Sequence, residues 1–83
     1  MTPAKSTPSN LALAIARGLV RTGRAKDSAQ ATDGYLHLRG IRGDDFWVAF
    51  DGRRILRGPR LALADELQPG FIDAMARAGV AGA

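Results

Sequence analysis

The only histidine of this 83-residue chain is His37, there is no cysteine, and the single glutamate is Glu66. That inventory limits the chemistry on offer. Cys–His nucleophilic pairs and thiolate or multi-histidine metal sites each need a residue type that the chain lacks. A Ser–His–Asp relay needs a serine held on a rigid element beside His37. The three serines, Ser6, Ser9 and Ser28, fall in an N-terminal lead, a helix cap and a connector. Asp44 and Asp45 are adjacent, which suits a loop or cap better than a hard-cation site, where several carboxylates must converge. Gly40, Gly43 and Gly52 sit in or beside hairpin turns, not between a strand and a helix as phosphate-binding loops require. These residues predict no enzyme, no metal and no cofactor.

The residue types suit binding instead. One stretch, residues 35–57, holds the only Tyr, Trp and His and half of the ten arginines. Aromatic rings stack bases at about 1–3 kcal/mol each, and guanidinium groups neutralise phosphates. Tyr35, His37, Arg39, Arg42, Trp47, Arg53, Arg54 and Arg57 are therefore a candidate nucleic-acid surface. Arg17, Arg21 and Arg24, a stripe at helical spacing, extend it. The formal net charge of +4 fits that reading. A plainer reading competes with it: ten arginines against two lysines, with alanine and glycine nearly a third of the chain, also fit a GC-rich codon bias.

The elements that must position these side chains follow from periodicity. From Leu11 to about Thr22, Leu11, Ala12, Leu13, Ile15, Ala16, Leu19 and Val20 fill one broad helical arc, with the arginine stripe opposite. Ser9 or Asn10 can cap that helix and Gly23 can end it. Residues 25–34 are small and polar without period and read as a connector ending in an Asp33-Gly34 turn. Three alternating strands follow as an antiparallel meander. Asp51-Gly52 reads as a two-residue turn, which pairs Phe50 with Arg53 and Val48 with Ile55. A three-residue loop at Gly43-Asp44-Asp45 pairs Leu38 with Phe50 and Gly40 with Val48, and sets Asp51 opposite His37.

This register puts Leu36, Leu38, Phe46, Val48, Phe50 and Ile55 on one face, the expected core. Tyr35, His37, Arg39, Ile41, Trp47, Arg54 and Leu56 go to the other. That second face is either an open platform or the floor under the first helix. Beyond the sheet, Asp65 and Glu66 can start a helix, or Pro69 can open one at the position where its missing N–H costs nothing. Phe71, Ile72, Met75 and Ala76 give the C-terminal helix its apolar stripe, and Gly79 is the expected end.

The fold class expected is α+β, in the order helix, three strands, helix: a mobile tail over residues 1–8, a single small domain over 9–80, and a frayed end at 81–83. Eighty-three residues support one modest core. The longest strongly apolar run, Leu11 to Ala16, is too short to span a membrane, and no secretory signal is evident, so a cytoplasmic protein is expected. The helix–three strands–helix order resembles, in topology only, that of the double-stranded-RNA-binding domain. That family carries a lysine cluster at the start of its second helix, whereas Ala64-Asp65-Glu66-Leu67-Gln68-Pro69-Gly70 is acidic and lacks lysine, so no residue role carries over. Two functions of different class stand side by side. One is a non-catalytic nucleic-acid-binding module. The other is a protein-interaction or homodimeric accessory domain using Leu13, Val20, Leu61, Leu63 and Leu67, whose apolar area exceeds what a small two-layer domain easily hides.

Overall fold

The structure, a computed structural model, describes residues 7–80. The tail expected over residues 1–8, apart from Thr7 and Pro8, and the frayed end at 81–83 lie outside the described residues. An N-terminal helix, α1 (Asn10–Arg21), precedes a five-stranded antiparallel sheet, and a C-terminal helix, α2 (Pro69–Val80), follows it. The strands are β1 (Gln30–Thr32), β2 (Tyr35–Arg39), β3 (Asp45–Ala49), β4 (Ile55–Gly58) and β5 (Asp65–Glu66), in sequence order across the sheet. The architecture is α+β as expected, with five strands where three were read.

The two additional strands are the sheet's edges. β1 lies within the stretch read as a connector, and β5 is the Asp65-Glu66 pair read as a possible helix start. Both are fully exposed and very short. Strands of this kind bury no face, so they leave no alternating pattern to read.

The two Asp-Gly pairs exchange the roles the sequence suggested. Asp33-Gly34 is the two-residue hairpin turn: both residues have positive φ, +50° and +82°, and Thr32 pairs with Tyr35 across it. That is the turn geometry whose twist matches paired strands. At the β3–β4 connection only Gly52 has positive φ, +75°. There the Gly52 N–H donates to the Ala49 carbonyl and the Ala49 N–H donates to the Arg54 carbonyl, so the loop is longer than two residues. Val48 pairs with Ile55 as expected, but Phe50 does not pair with Arg53. The Phe50 N–H donates instead to the carbonyl of Gly34.

The β2–β3 register differs by four residues from the one expected. Leu38 lies opposite Phe46 and Leu36 opposite Val48, not Leu38 opposite Phe50 and Gly40 opposite Val48. The loop spans residues 40–44 instead of three residues. An even slip leaves every side chain on its face. Leu36, Leu38, Phe46, Val48, Phe50 and Ile55 are accordingly all buried and form the core with Ala12, Ile15, Ala16 and Leu19 of α1 and Met75 of α2. Burying each large side chain of this set contributes about 1.5–3 kcal/mol.

α1 begins where Ser9 caps it, its Oγ accepting from the Ala12 N–H at 3.1 Å. It stops before Gly23, whose φ of +75° turns the chain. α2 packs chiefly along α1, with Phe71, Ile72 and Ala76 partly buried against the shared core. Gly79 does not end α2 but lies inside it, buried. A Cβ on Gly79 would stand 1.7 Å from the Ala14 carbonyl oxygen, and one on Gly18 1.9 Å from the Met75 carbonyl oxygen. The two contacts run in opposite directions along the helices, so α1 and α2 are antiparallel and meet backbone to backbone.

Candidate functional site

Both helices join the core on one face of the sheet, and neither Trp47 nor Leu56 belongs to that cluster. Neither α1 nor α2 packs on the face carrying them. Trp47 is nonetheless buried, at 5% exposure, and Leu56 beside it at 9%. The register sets Gln30, His37, Trp47, Leu56 and Glu66 in one row across the five strands. The His37 ring stacks on the indole at 5.3 Å with planes 30° apart. At the end of β4 the returning chain packs on Gly58, where a Cβ would lie 2.7 Å from the Ala64 Cα. Trp47 is thus neither an open stacking platform nor the floor under α1; neighbours on its own face shield it.

His37 also has a partner other than the one expected. Its Nε2 lies 2.8 Å from Asp45 Oδ2, and Trp47 stands opposite it, not Asp51. Asp51 accepts through Oδ1 from the Arg53 N–H at 2.9 Å within the β3–β4 turn. Among the described residues no group of three or more His, Cys, Asp or Glu is placed to hold a metal ion.

The arginines divide into sets with different partners. Arg17 Nε donates to the Gly79 carbonyl at 3.4 Å, and Arg21 donates to the carbonyls of Ala78 and Gly79 at 3.2 and 3.0 Å. These cations sit on the carbonyl end of α2, where the helix dipole favours positive charge. Arg24 lies beyond the end of α1 and so leaves the stripe. Its guanidinium stands over the Phe71 ring, 5.2 Å from the centroid. Arg54 reaches Glu66 at 3.4 Å across the β4–β5 edge, a half-exposed pair that contributes little. Arg39, Arg42, Arg53 and Arg60 have no ion-pair partner among the described residues.

Three arginines meet around one open hollow of about 520 Å³, lined by Thr22, Gly23, Arg24, Gly40, Arg42, Asp44, Phe46 and Arg57. The backbone explains why they meet. After α1 the chain runs beside the end of β2: the Lys26 N–H donates to the Arg39 carbonyl, the Ile41 N–H donates to the Arg24 carbonyl, and Ala25 bridges Gly40. This brings Arg24 next to the β2–β3 loop that carries Arg42 and Asp44. The loop folds over Gly40, where a Cβ would stand 1.7 Å from the Asp44 carbonyl oxygen, and turns at Gly43 with φ of +103°. Arg57 projects from β4, and its Nε lies 3.9 Å from Asp44 Oδ2.

The second candidate surface is split. Leu13 and Val20 border an apolar cleft of about 330 Å³ whose lining includes Ala16 and Leu38. Leu61 and Leu63 lie in a 3₁₀ turn that follows β4, and Leu67 packs on the core. Leu13, on α1, is 37% exposed, and Leu63, in the 3₁₀ turn, 58%. No helix among the described residues is long and apolar enough to cross a membrane.

The hollow brings Arg24 of the helix stripe together with Arg42 and Arg57 of the sheet surface that the stripe was expected to extend. Its other lining residues, Thr22, Gly23, Gly40, Asp44 and Phe46, were outside the candidate sites. The adjacency of Arg24 to the β2–β3 loop depends on the long-range pairing of residues 24–26 with 39–41, for which residue types give no signal. No protein-family model matches this chain, and no characterised protein or solved structure is significantly similar to it.

Proposed function

We infer that this chain is a small non-catalytic binding module that holds nucleic acid by its phosphates, with the Arg24/Arg42/Arg57 hollow as the point of contact. One observation carries the reading: three arginines from three separate segments line a single hollow with one acidic residue, Asp44. Arginine presents planar donors that match phosphate oxygens. Arg24, whose guanidinium stands over the Phe71 ring, pairs with no carboxylate among the described residues and is available to such a ligand. With Trp47 shielded, base stacking on the sheet is no part of this reading, and recognition rests on the backbone and not on sequence.

The test is fluorescence anisotropy with a labelled duplex and its single strand. Three phosphate contacts give duplex binding that weakens about fortyfold between about 50 and 200 mM salt. Arg42→Ala and Arg57→Ala should each flatten the log–log salt dependence by about one unit. Absence of binding at the low-salt end, or binding indifferent to salt, overturns the reading. The apolar cleft beside Leu13 and Val20 supports the other reading, a protein-interaction or homodimeric domain, which a concentration-dependent mass in solution would favour.

A further inference from the structure

We propose that Asp44 is the hollow's built-in counter-anion, occupying Arg57 until a phosphate displaces it and thereby setting how tightly the hollow holds its ligand. The inference rests on the nucleic-acid reading above and concerns the same site. Asp44 is the acidic residue among the hollow's lining, and its carboxylate sits 3.9 Å from the Arg57 Nε. That distance is at the outer limit of an ion pair. Both side chains are a little over half exposed, at 55% and 53% for Arg57 and Asp44. Such a pair is weak enough to be exchanged for a better acceptor. A phosphate offers Arg57 a charged acceptor able to take a two-pronged hydrogen bond, which the single long Nε contact with Asp44 does not provide.

The backbone holds Asp44 there whether or not its side chain is charged. Its carbonyl packs over Gly40, in a loop whose other turn is at Gly43. The loop therefore keeps a negative charge beside an incoming anion. Against three arginines this leaves the hollow attractive to phosphate, but less so than the arginines alone would make it. Asp44→Asn removes the charge and keeps both the backbone contact and the side-chain size.

The experiment uses the full chain and the same labelled duplex at low salt. Asp44→Asn should bind about fivefold tighter than wild type, the effect of freeing Arg57 from a unit charge about 4 Å away near solvent. Asp27→Asn, which makes the same change in net charge beside the α1 cleft and not in the hollow, should stay within about twofold of wild type at the ionic strength used. In an Arg57→Ala background the gain from Asp44→Asn should shrink to less than about twofold, because the competition is for Arg57. An Asp44→Asn affinity equal to that of Asp27→Asn, or an undiminished gain without Arg57, overturns the proposal and leaves the nucleic-acid reading standing. If neither wild type nor Asp44→Asn binds, the reading itself fails and this inference falls with it.

Discussion

Gly18 and Gly79 show how much a single missing side chain does here. Each is buried at the α1–α2 crossing, and a Cβ on either would lie within 2 Å of a backbone carbonyl oxygen of the other helix. Backbone atoms cannot swing aside as a flexible side chain can. Helix propensity taken alone favours alanine over glycine by about 1 kcal/mol, so it predicts that Gly79→Ala stabilises the chain. The packing predicts the opposite, a net loss of roughly 1–3 kcal/mol as the helices are forced apart. Urea denaturation decides by sign: a lowered midpoint with unchanged slope supports the close crossing, and a raised midpoint contradicts it. A glycine at the end of an apolar stripe reads naturally as a terminator. Nothing in the sequence distinguishes that from a glycine kept small for a neighbour.

At the scale of elements, the meander's central strands were legible and its edges were not. Leu36, Leu38, Phe46 and Val48 recur at every second position of their strands because one face is buried, and that period survives even though the register differs by four residues from the one expected. β1 and β5 are exposed on every residue, so no burial imprints on them. The face away from α1 and α2 is the element-level surprise. Trp47 is buried there among His37 and Leu56 without either helix to cover it. Its fluorescence should resist acrylamide quenching in the folded protein. His37→Ala, which removes the stacked ring, should make quenching markedly more efficient while the far-ultraviolet circular dichroism stays that of the folded chain. An indole already quenched as freely in wild type as in denatured protein would refute the shielding.

Across the whole molecule the basic charge is partitioned by partner. Arg17 and Arg21 face the carbonyl end of α2, and Arg24, Arg42 and Arg57 line the hollow. Removing a cation from a helix C-terminus typically costs about 0.3–1 kcal/mol. Arg17→Ala with Arg21→Ala should therefore lower the thermal midpoint by a few degrees and leave duplex affinity within about threefold, since those side chains are engaged by the α2 carbonyls and do not line the hollow. Arg42→Ala with Arg57→Ala should do the reverse, weakening binding with little change in midpoint. Equal effects of both pairs on affinity would mean that the charge acts as a diffuse field and not through the hollow.

The sequence by itself determined the core face of the meander, where α1 starts and ends, and that the fold is α+β; for α2 it offered the start at Pro69 beside another at Asp65 and Glu66. Burial imposes a period, and caps and prolines have local causes that a single stretch of chain carries. Only the tertiary structure decided the number of strands, the register of the first hairpin, the side of the sheet that the helices take, and the partners of the arginines. Each of those depends on contacts between residues far apart in the chain: Gly18 with Met75, Arg17 with Gly79, and Arg24 with Ile41. Arginine in particular has the same composition and the same charge whether it caps a helix, stacks on a ring or faces an open hollow. Its role is set by what stands within reach of a long side chain, and that is a property of the folded molecule.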